Sequence, residues 1–149
     1  MTQNKTLVVI PARLASLRLP DKPLALIGND PMIVHVWRRA MEADTGPVIV
    51  ACGDAPIAEA IEKVGGTAVM TDPDLPSGSD RVWAGAQQFD PDGEHNCIVN
   101  VQGDLPTLEP RLIKAAVAAL HEGQADIGAL VDEITDPAET EDPNVVKVA

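Results

Sequence analysis

Apolar residues occur along the chain in two patterns, short continuous blocks and longer stretches with a helical period. Leu7-Val8-Val9-Ile10 and Val48-Ile49-Val50-Ala51-Cys52 are unbroken, largely β-branched blocks, as in strands buried on both faces. Thr67–Met70 and Cys97-Ile98-Val99-Asn100-Val101 read the same way. Between the first two blocks, Met32, Ile33, Val36, Trp37, Ala40 and Met41 recur at helical spacing, with Asp30 as the expected N-cap and Pro31 in the first turn. Asp54 is expected to cap a second helix that carries Ile57, Ala60, Ile61 and Val64 on one face and stops at Gly65-Gly66. Val82, Trp83, Ala86 and Phe89 predict a third helix, and Leu112, Ile113, Ala116, Val117 and Leu120 a fourth ending near Gly123. Residues 126–131 read as a fifth strand, 132–143 as an acidic loop, and 145–149 as the start of another strand.

Strands alternating with helices predict an α/β fold with a mostly parallel sheet flanked by helices. Ligands of such sheets bind beyond the carboxyl ends of the strands. Three loops rich in Pro, Gly or charge (residues 11–30, 71–79 and 102–107) each follow a strand, so they are expected to converge on one site. No internal repeat or low-complexity block interrupts the pattern.

Composition narrows the classes. With 45% apolar residues in 149, the chain carries enough material for one core and too much for a disordered tail. No apolar stretch nears the roughly 20 residues of a membrane span, and the apolar run after the polar start is too short for a secretory signal. The net charge of −12 argues against a general nucleic-acid binder. That charge is split: residues 1–40 hold six basic and two acidic groups, and residues 41–149 hold five basic and twenty-one acidic. The only positive segment is the start, where an anionic ligand would be drawn. Cys52 and Cys97 lie in apolar strand-like runs without metal-ligand spacing, so buried thiols in a reducing cytoplasm are expected.

The loop Pro11-Ala12-Arg13-Leu14-Ala15-Ser16-Leu17-Arg18-Leu19-Pro20-Asp21-Lys22-Pro23-Leu24 fits neither the dinucleotide nor the Walker glycine pattern. It sets two or three cations just past the first strand, which suits a triphosphate. A plain basic surface loop fits the charge equally well. Gln102-Gly103-Asp104 leaves another strand sharply, and Asp104 is placed either as a turn residue or as a carboxylate holding Mg²⁺ against phosphates. Ser77-Gly78-Ser79-Asp80-Arg81 opens a helix, with Ser79 as a plain N-cap or with donors that grip a ligand, and the two readings are compatible.

Taken in order, Ile10-Pro11-Ala12-Arg13, Arg18-Leu19-Pro20-x-Lys22-Pro23-Leu24, Pro31-Met32-Ile33, Ser77-Gly78-Ser79-Asp80-Arg81, Val99-Asn100-Val101-Gln102-Gly103-Asp104 and Asp142-Pro143-Asn144-x-Val146-Lys147-Val148 resemble the 3-deoxy-manno-octulosonate cytidylyltransferase (CMP-Kdo synthetase) family. The resemblance covers nearly the whole chain. It implies a Rossmann-like nucleotide-diphospho-sugar transferase fold and cytoplasmic synthesis of CMP-Kdo for lipopolysaccharide. CTP and Kdo would react with Mg²⁺ as cofactor, without nucleic acid or membrane insertion. Carried over residue by residue, Arg13 and Lys22 would hold the triphosphate and Asp104 would bind Mg²⁺. Pro11, Ala12, Ser77, Gly78 and Arg81 would line the cytidine side, and Gln102 would face the nucleotide or sugar.

The sequence departs from the family pattern at Leu17, where a small hydroxyl residue is common, at Leu75, often His, and at Leu105, often an acid. None of these positions carries assigned chemistry. The family chain runs to roughly 250 residues, a size one α/β domain allows. Residues 1–149 are therefore expected to be a truncated nucleotide-binding domain, an N-terminal fragment incomplete at its C-terminus. The remainder would supply most sugar contacts, a second metal carboxylate and the surface of a homodimer. The alternatives are a CMP-sialic acid synthetase or related sugar nucleotidyltransferase, and a non-catalytic nucleotide-binding fragment. The Arg18-Leu19-Pro20-x-Lys22-Pro23-Leu24 run favours the Kdo enzyme over the sialic acid one.

Overall fold

A computed structural model describes residues 4–15, 19–123 and 125–148. Leu17, Arg18 and Ala149 lie outside the described residues. The chain begins with strand β1 (Thr6–Ala12), then a 3-10 turn at Lys22–Leu24 and a short hairpin of β2 (Leu26–Ile27) and β3 (Asp30–Pro31). Helix α1 (Met32–Glu42), β4 (Val48–Cys52), α2 (Ala55–Lys63), β5 (Thr67–Met70) and α3 (Gly78–Phe89) follow. After them come β6 (Cys97–Asn100), α4 (Pro110–Glu122) and the short α5 (Pro137–Glu141).

The main sheet has the order β5-β4-β1-β6 with every pair parallel, as the alternation of elements predicts. Strand β1 is central, with Val8 opposite Val48 on one side and Val99 on the other. That position explains its unbroken apolar run, because both its faces are covered. Val8 and Ile10 pack with Ile33, Ile57 and Ile61 of α1 and α2, whereas Leu7 and Val9 pack with Val82 and Ala86 of α3. Each such fully buried side chain contributes about 1.5–3 kcal/mol. Helix α3 sits close on the sheet: a Cβ added at Gly85 would lie 2.6 Å from the Cβ of Ala51.

Several local expectations are corrected. The first loop is not wholly irregular, since β2 and β3 form a hairpin within it. Asp30 is not the N-cap of α1. It is drawn into β3, Pro31 takes the cap position, and the Asp30 carboxylate accepts from Arg38 Nη1 at 2.7 Å. That guanidinium holds the Asp30 carboxyl below the usual carboxylate range. Arg38 is thus paired with Asp30, and Arg39 pairs with Glu42.

Asp54 occupies the N-cap position of α2, but its side chain makes no capping bond. The cap of helix α3 lies two residues before the expected one. Ser77, not Ser79, caps it by accepting the N–H of Asp80 at 3.1 Å. Trp83 falls on the outer face of α3 and is 66% exposed.

Residues 126–131 form no strand, nor do 145–148. A Cβ added at Gly128 of that segment would stand 3.6 Å from the Ala116 carbonyl oxygen and from the Leu120 Cβ on α4. Running beside a helix, its backbone finds no strand ladder, and an apolar run without a neighbouring strand does not make one. Among the described residues, no helix is long and apolar enough to cross a membrane. Cys52 and Cys97 are free and buried, as expected, and burial pushes the Cys52 thiol up to about 11.

Candidate active site at the carboxyl edge of the sheet

Strands β1 and β6 are neighbours, yet β1 leads away to β4 on its other side. The chain therefore diverges beyond their carboxyl ends, and a parallel sheet leaves a crevice at such a point. Here the crevice is a cleft of about 420 Å³. Its floor requires a glycine at the exit of β6: a Cβ at Gly103 would lie 2.7 Å from the carbonyl oxygen of Pro11. That close approach brings the segment 102–104 against the end of β1.

Each residue expected from the sequence reaches this cleft. Pro11, Ala12 and Arg13 come from the end of β1, and Lys22 from the 3-10 turn. Ser77, Gly78 and Arg81 come from the start of α3. Gln102 and Asp104 come from the exit of β6. Pro23, Met32, Leu75 and Gly103 also line it, although the sequence reading gave them no part in the site. Met32 carried a helix-face signal and a place in a family motif, but no site role. Leu75 was visible as a family departure, and Gly103 as a turn former.

The charges in the cleft are arranged across it. Lys22 Nζ donates to Asp104 Oδ2 at 3.1 Å, joining residues 82 apart in sequence. Arg13, Lys22 and Arg81 are its cations, and Asp104 is the one carboxylate among its lining residues. Gln102 Nε2 donates to Asn100 Oδ1 at 2.8 Å, which sets the orientation of its amide. The hydroxyl of Ser77 is committed at the helix start, donating to the Asp80 carboxylate while it accepts the Asp80 N–H.

Arg81 differs most from the part expected of it. The residue is only 2% exposed, and its guanidinium donates to Thr71 Oγ1 at 2.6 Å and to the carbonyls of Asp72 and Pro73. Thr71 Oγ1 in turn donates to the Cys52 carbonyl at 3.2 Å. Burial and the nearby positive charge of Arg13 lower the Arg81 pKa from its ordinary value. Arg81 therefore lines the cleft while tying the loop after β5 to the end of β4.

Among the described residues, no group of three or more His, Cys, Asp or Glu side chains forms a metal cage. A single exposed carboxylate such as Asp104 suits a hard cation like Mg²⁺, which takes one or two protein carboxylates together with phosphate oxygens and water. The donor chemistry of the cleft fits that ion.

The cytidylyltransferase family profile matches residues 7–149. The chain is 54% identical over 147 residues to a 3-deoxy-manno-octulosonate cytidylyltransferase of Paramagnetospirillum magneticum, covering 99% of this chain and 60% of the relative. It is 60% identical over 141 residues to the protein of the same name from Parvibaculum lavamentivorans, covering 95% of this chain and 55% of the relative. A solved structure of CMP:2-keto-3-deoxy-manno-octonic acid synthetase complexed with CTP aligns with a TM-score of 0.73 at 36% identity, over 82% of this chain and 49% of that one. The chain thus spans between half and two thirds of the length of the curated relatives it matches. With this sheet, this cleft and a match over nearly its full length, the chain belongs to the cytidylyltransferase family.

Proposed function

We propose that the protein transfers CMP from CTP to 3-deoxy-D-manno-octulosonate, giving CMP-Kdo and pyrophosphate. The observation that carries this reading is a cleft in which Lys22 and Asp104 stand 3.1 Å apart, lined also by Arg13 and the start of α3. The names of the relatives and the CTP-bound structural neighbour support it.

In this reading Arg13 and Lys22 grip the triphosphate, their fixed charges meeting the oxygens that become the leaving pyrophosphate. Asp104 would hold Mg²⁺, which when bound neutralises phosphate charge. Pro11, Ala12, Ser77 and Gly78 form the cytidine side, with Arg81 fixing the loop between them, and Gln102 faces nucleotide or sugar. The sugar hydroxyl attacks the α-phosphorus as the bond to pyrophosphate breaks. Positioning and charge neutralisation account for most of the acceleration in chemistry of this kind.

The chain is read as the nucleotide-binding part of a homodimeric cytoplasmic enzyme. The buried free thiols of Cys52 and Cys97 support a reducing compartment. The test is pyrophosphate release with CTP and Mg²⁺, comparing Kdo with sialic acid. It is run on this chain and on a version extended to the length of its relatives. Release with Kdo is expected from the extended protein. Release with sialic acid instead would replace the proposal with a sialic acid enzyme, and CTP binding without any release would leave a nucleotide-binding module.

A further inference from the structure

We infer that Asp54 is a positioning residue of the cleft, whose carboxylate fixes the backbone that presents Arg13 instead of capping the helix it precedes. The inference rests on the cleft being the nucleotide site. Asp54 has the extended backbone of an N-cap, and its carbonyl accepts the first helical N–H groups, from Ile57 and Ala58. Its carboxylate, however, bonds no N–H of α2. Oδ2 accepts the backbone N–H of Leu14 at 2.8 Å, across 40 residues of sequence.

Leu14 is held through both its backbone N–H and its carbonyl. Its carbonyl accepts the N–H of Asp21 at 3.2 Å, closing the base of the loop between them. Asp21 then turns the chain with φ +57°, a left-handed conformation unusual for a residue other than glycine, and its carbonyl accepts the N–H of Leu24 at 2.9 Å. The two cations assigned to the triphosphate sit immediately outside these anchor points, Arg13 before Leu14 and Lys22 after Asp21. One carboxylate therefore secures the stem of the loop that both charges flank.

The neighbouring residue brings Asp54 within reach. Gly53 N donates to the Ala12 carbonyl at 3.1 Å, which carries the contact between β1 and β4 past the strand ends. A Cβ at position 53 would stand 2.9 Å from Arg81 Nη1 and 3.1 Å from the Pro73 Cα, so this approach needs glycine. Two jobs were open to an aspartate at a helix start, and the geometry assigns this one to the loop.

Serine and asparagine separate the two jobs. Both are good N-caps, but only asparagine keeps an acceptor oxygen at the reach of the native carboxylate. Asp54→Ala and Asp54→Ser are expected to weaken CTP binding by calorimetry about tenfold, the effect of losing one charge-assisted hydrogen bond, while Asp54→Asn stays within about threefold of the parent. Amide hydrogen exchange at Leu14 should accelerate in the Ala and Ser variants and remain slow in the Asn variant. If Asp54→Ala fails to fold, the Ser and Asn pair still decides. Parent-like CTP affinity and Leu14 protection in Asp54→Ser would overturn the inference in favour of plain capping. If the parent chain itself binds no CTP, the proposed function fails, and the Leu14 exchange still determines whether the clamp exists.

Discussion

Lys22 and Asp104 face each other across the mouth of the cleft with 3.1 Å between Nζ and Oδ2, the one from the turn after β1 and the other from the exit of β6. Their side chains are 40% and 53% exposed, so the pair contributes only about 0–1 kcal/mol to the fold. On the proposed function, the pair would bring a phosphate-binding cation beside a metal-binding carboxylate. Asp104→Ala is therefore expected to lower Mg²⁺-dependent pyrophosphate release by the extended protein on the order of a hundredfold or more. Its urea midpoint should shift by no more than about 1 kcal/mol of stability. Near-parent turnover would remove Asp104 from the metal site.

The close approach of α3 to β4 gives a prediction about the fold itself. In Gly85→Ala the added Cβ would sit 2.6 Å from the Cβ of Ala51, and neither atom can rotate away. Alanine raises helix propensity by about 1 kcal/mol over glycine. Overpacking at a contact this tight falls toward the upper end of its usual range of about 1–3 kcal/mol. The variant should therefore lose about 1–2 kcal/mol in urea denaturation, the difference between these two effects. A gain in stability would mean that α3 can shift outward at little cost.

Acid stability has an identifiable contributor in the loop between α3 and β6. Asp90 accepts the backbone N–H groups of His95 at 2.8 Å and Glu94 at 3.0 Å, and it also meets His95 Nδ1 at 2.9 Å. These backbone donors first, and then the imidazole, hold its carboxyl at about 2, down from 3.8. A carboxyl whose pKa is lower in the folded state stabilises the fold above its unfolded value, and that contribution is lost as pH falls through the folded value. The Asp90 contribution should therefore disappear between about pH 4 and pH 2. Urea midpoints measured across that window should fall more steeply for the parent than for Asp90→Asn. Parallel curves would show that Asp90 does not titrate as described.

The legible parts of the sequence were those where one physical demand dominates. Leu7 to Ile10 must be covered on both faces, so their run marked the central strand. A parallel sheet turns all its carboxyl ends to one edge, so the loops holding Arg13, Ser77 and Asp104 had to meet. The rest turned on competition between partners that sequence spacing does not reveal. Asp30 and Asp54 both carry an N-cap signature, yet Arg38 takes the first carboxylate and the Leu14 amide the second. Two-residue strands such as β2 and β3 are too short to show a period. Ile127, Leu130 and Val131 resemble a strand in composition, but they run free of any ladder and are largely exposed. Arg81 reads as a lining residue of the cytidine side at a helix start, and only its three acceptors around the loop after β5 account for its burial.

The most direct test of the central claim is a calorimetric titration of this chain with CTP in the presence of Mg²⁺, repeated with Arg13→Ala and with ATP. Arg13 lies at the exposed edge of the cleft, so its truncation leaves the core intact. The cleft described here predicts one CTP per chain, an affinity at least about tenfold weaker in Arg13→Ala, and weaker binding of ATP. Absence of CTP binding, or binding that Arg13→Ala leaves unchanged, would contradict it.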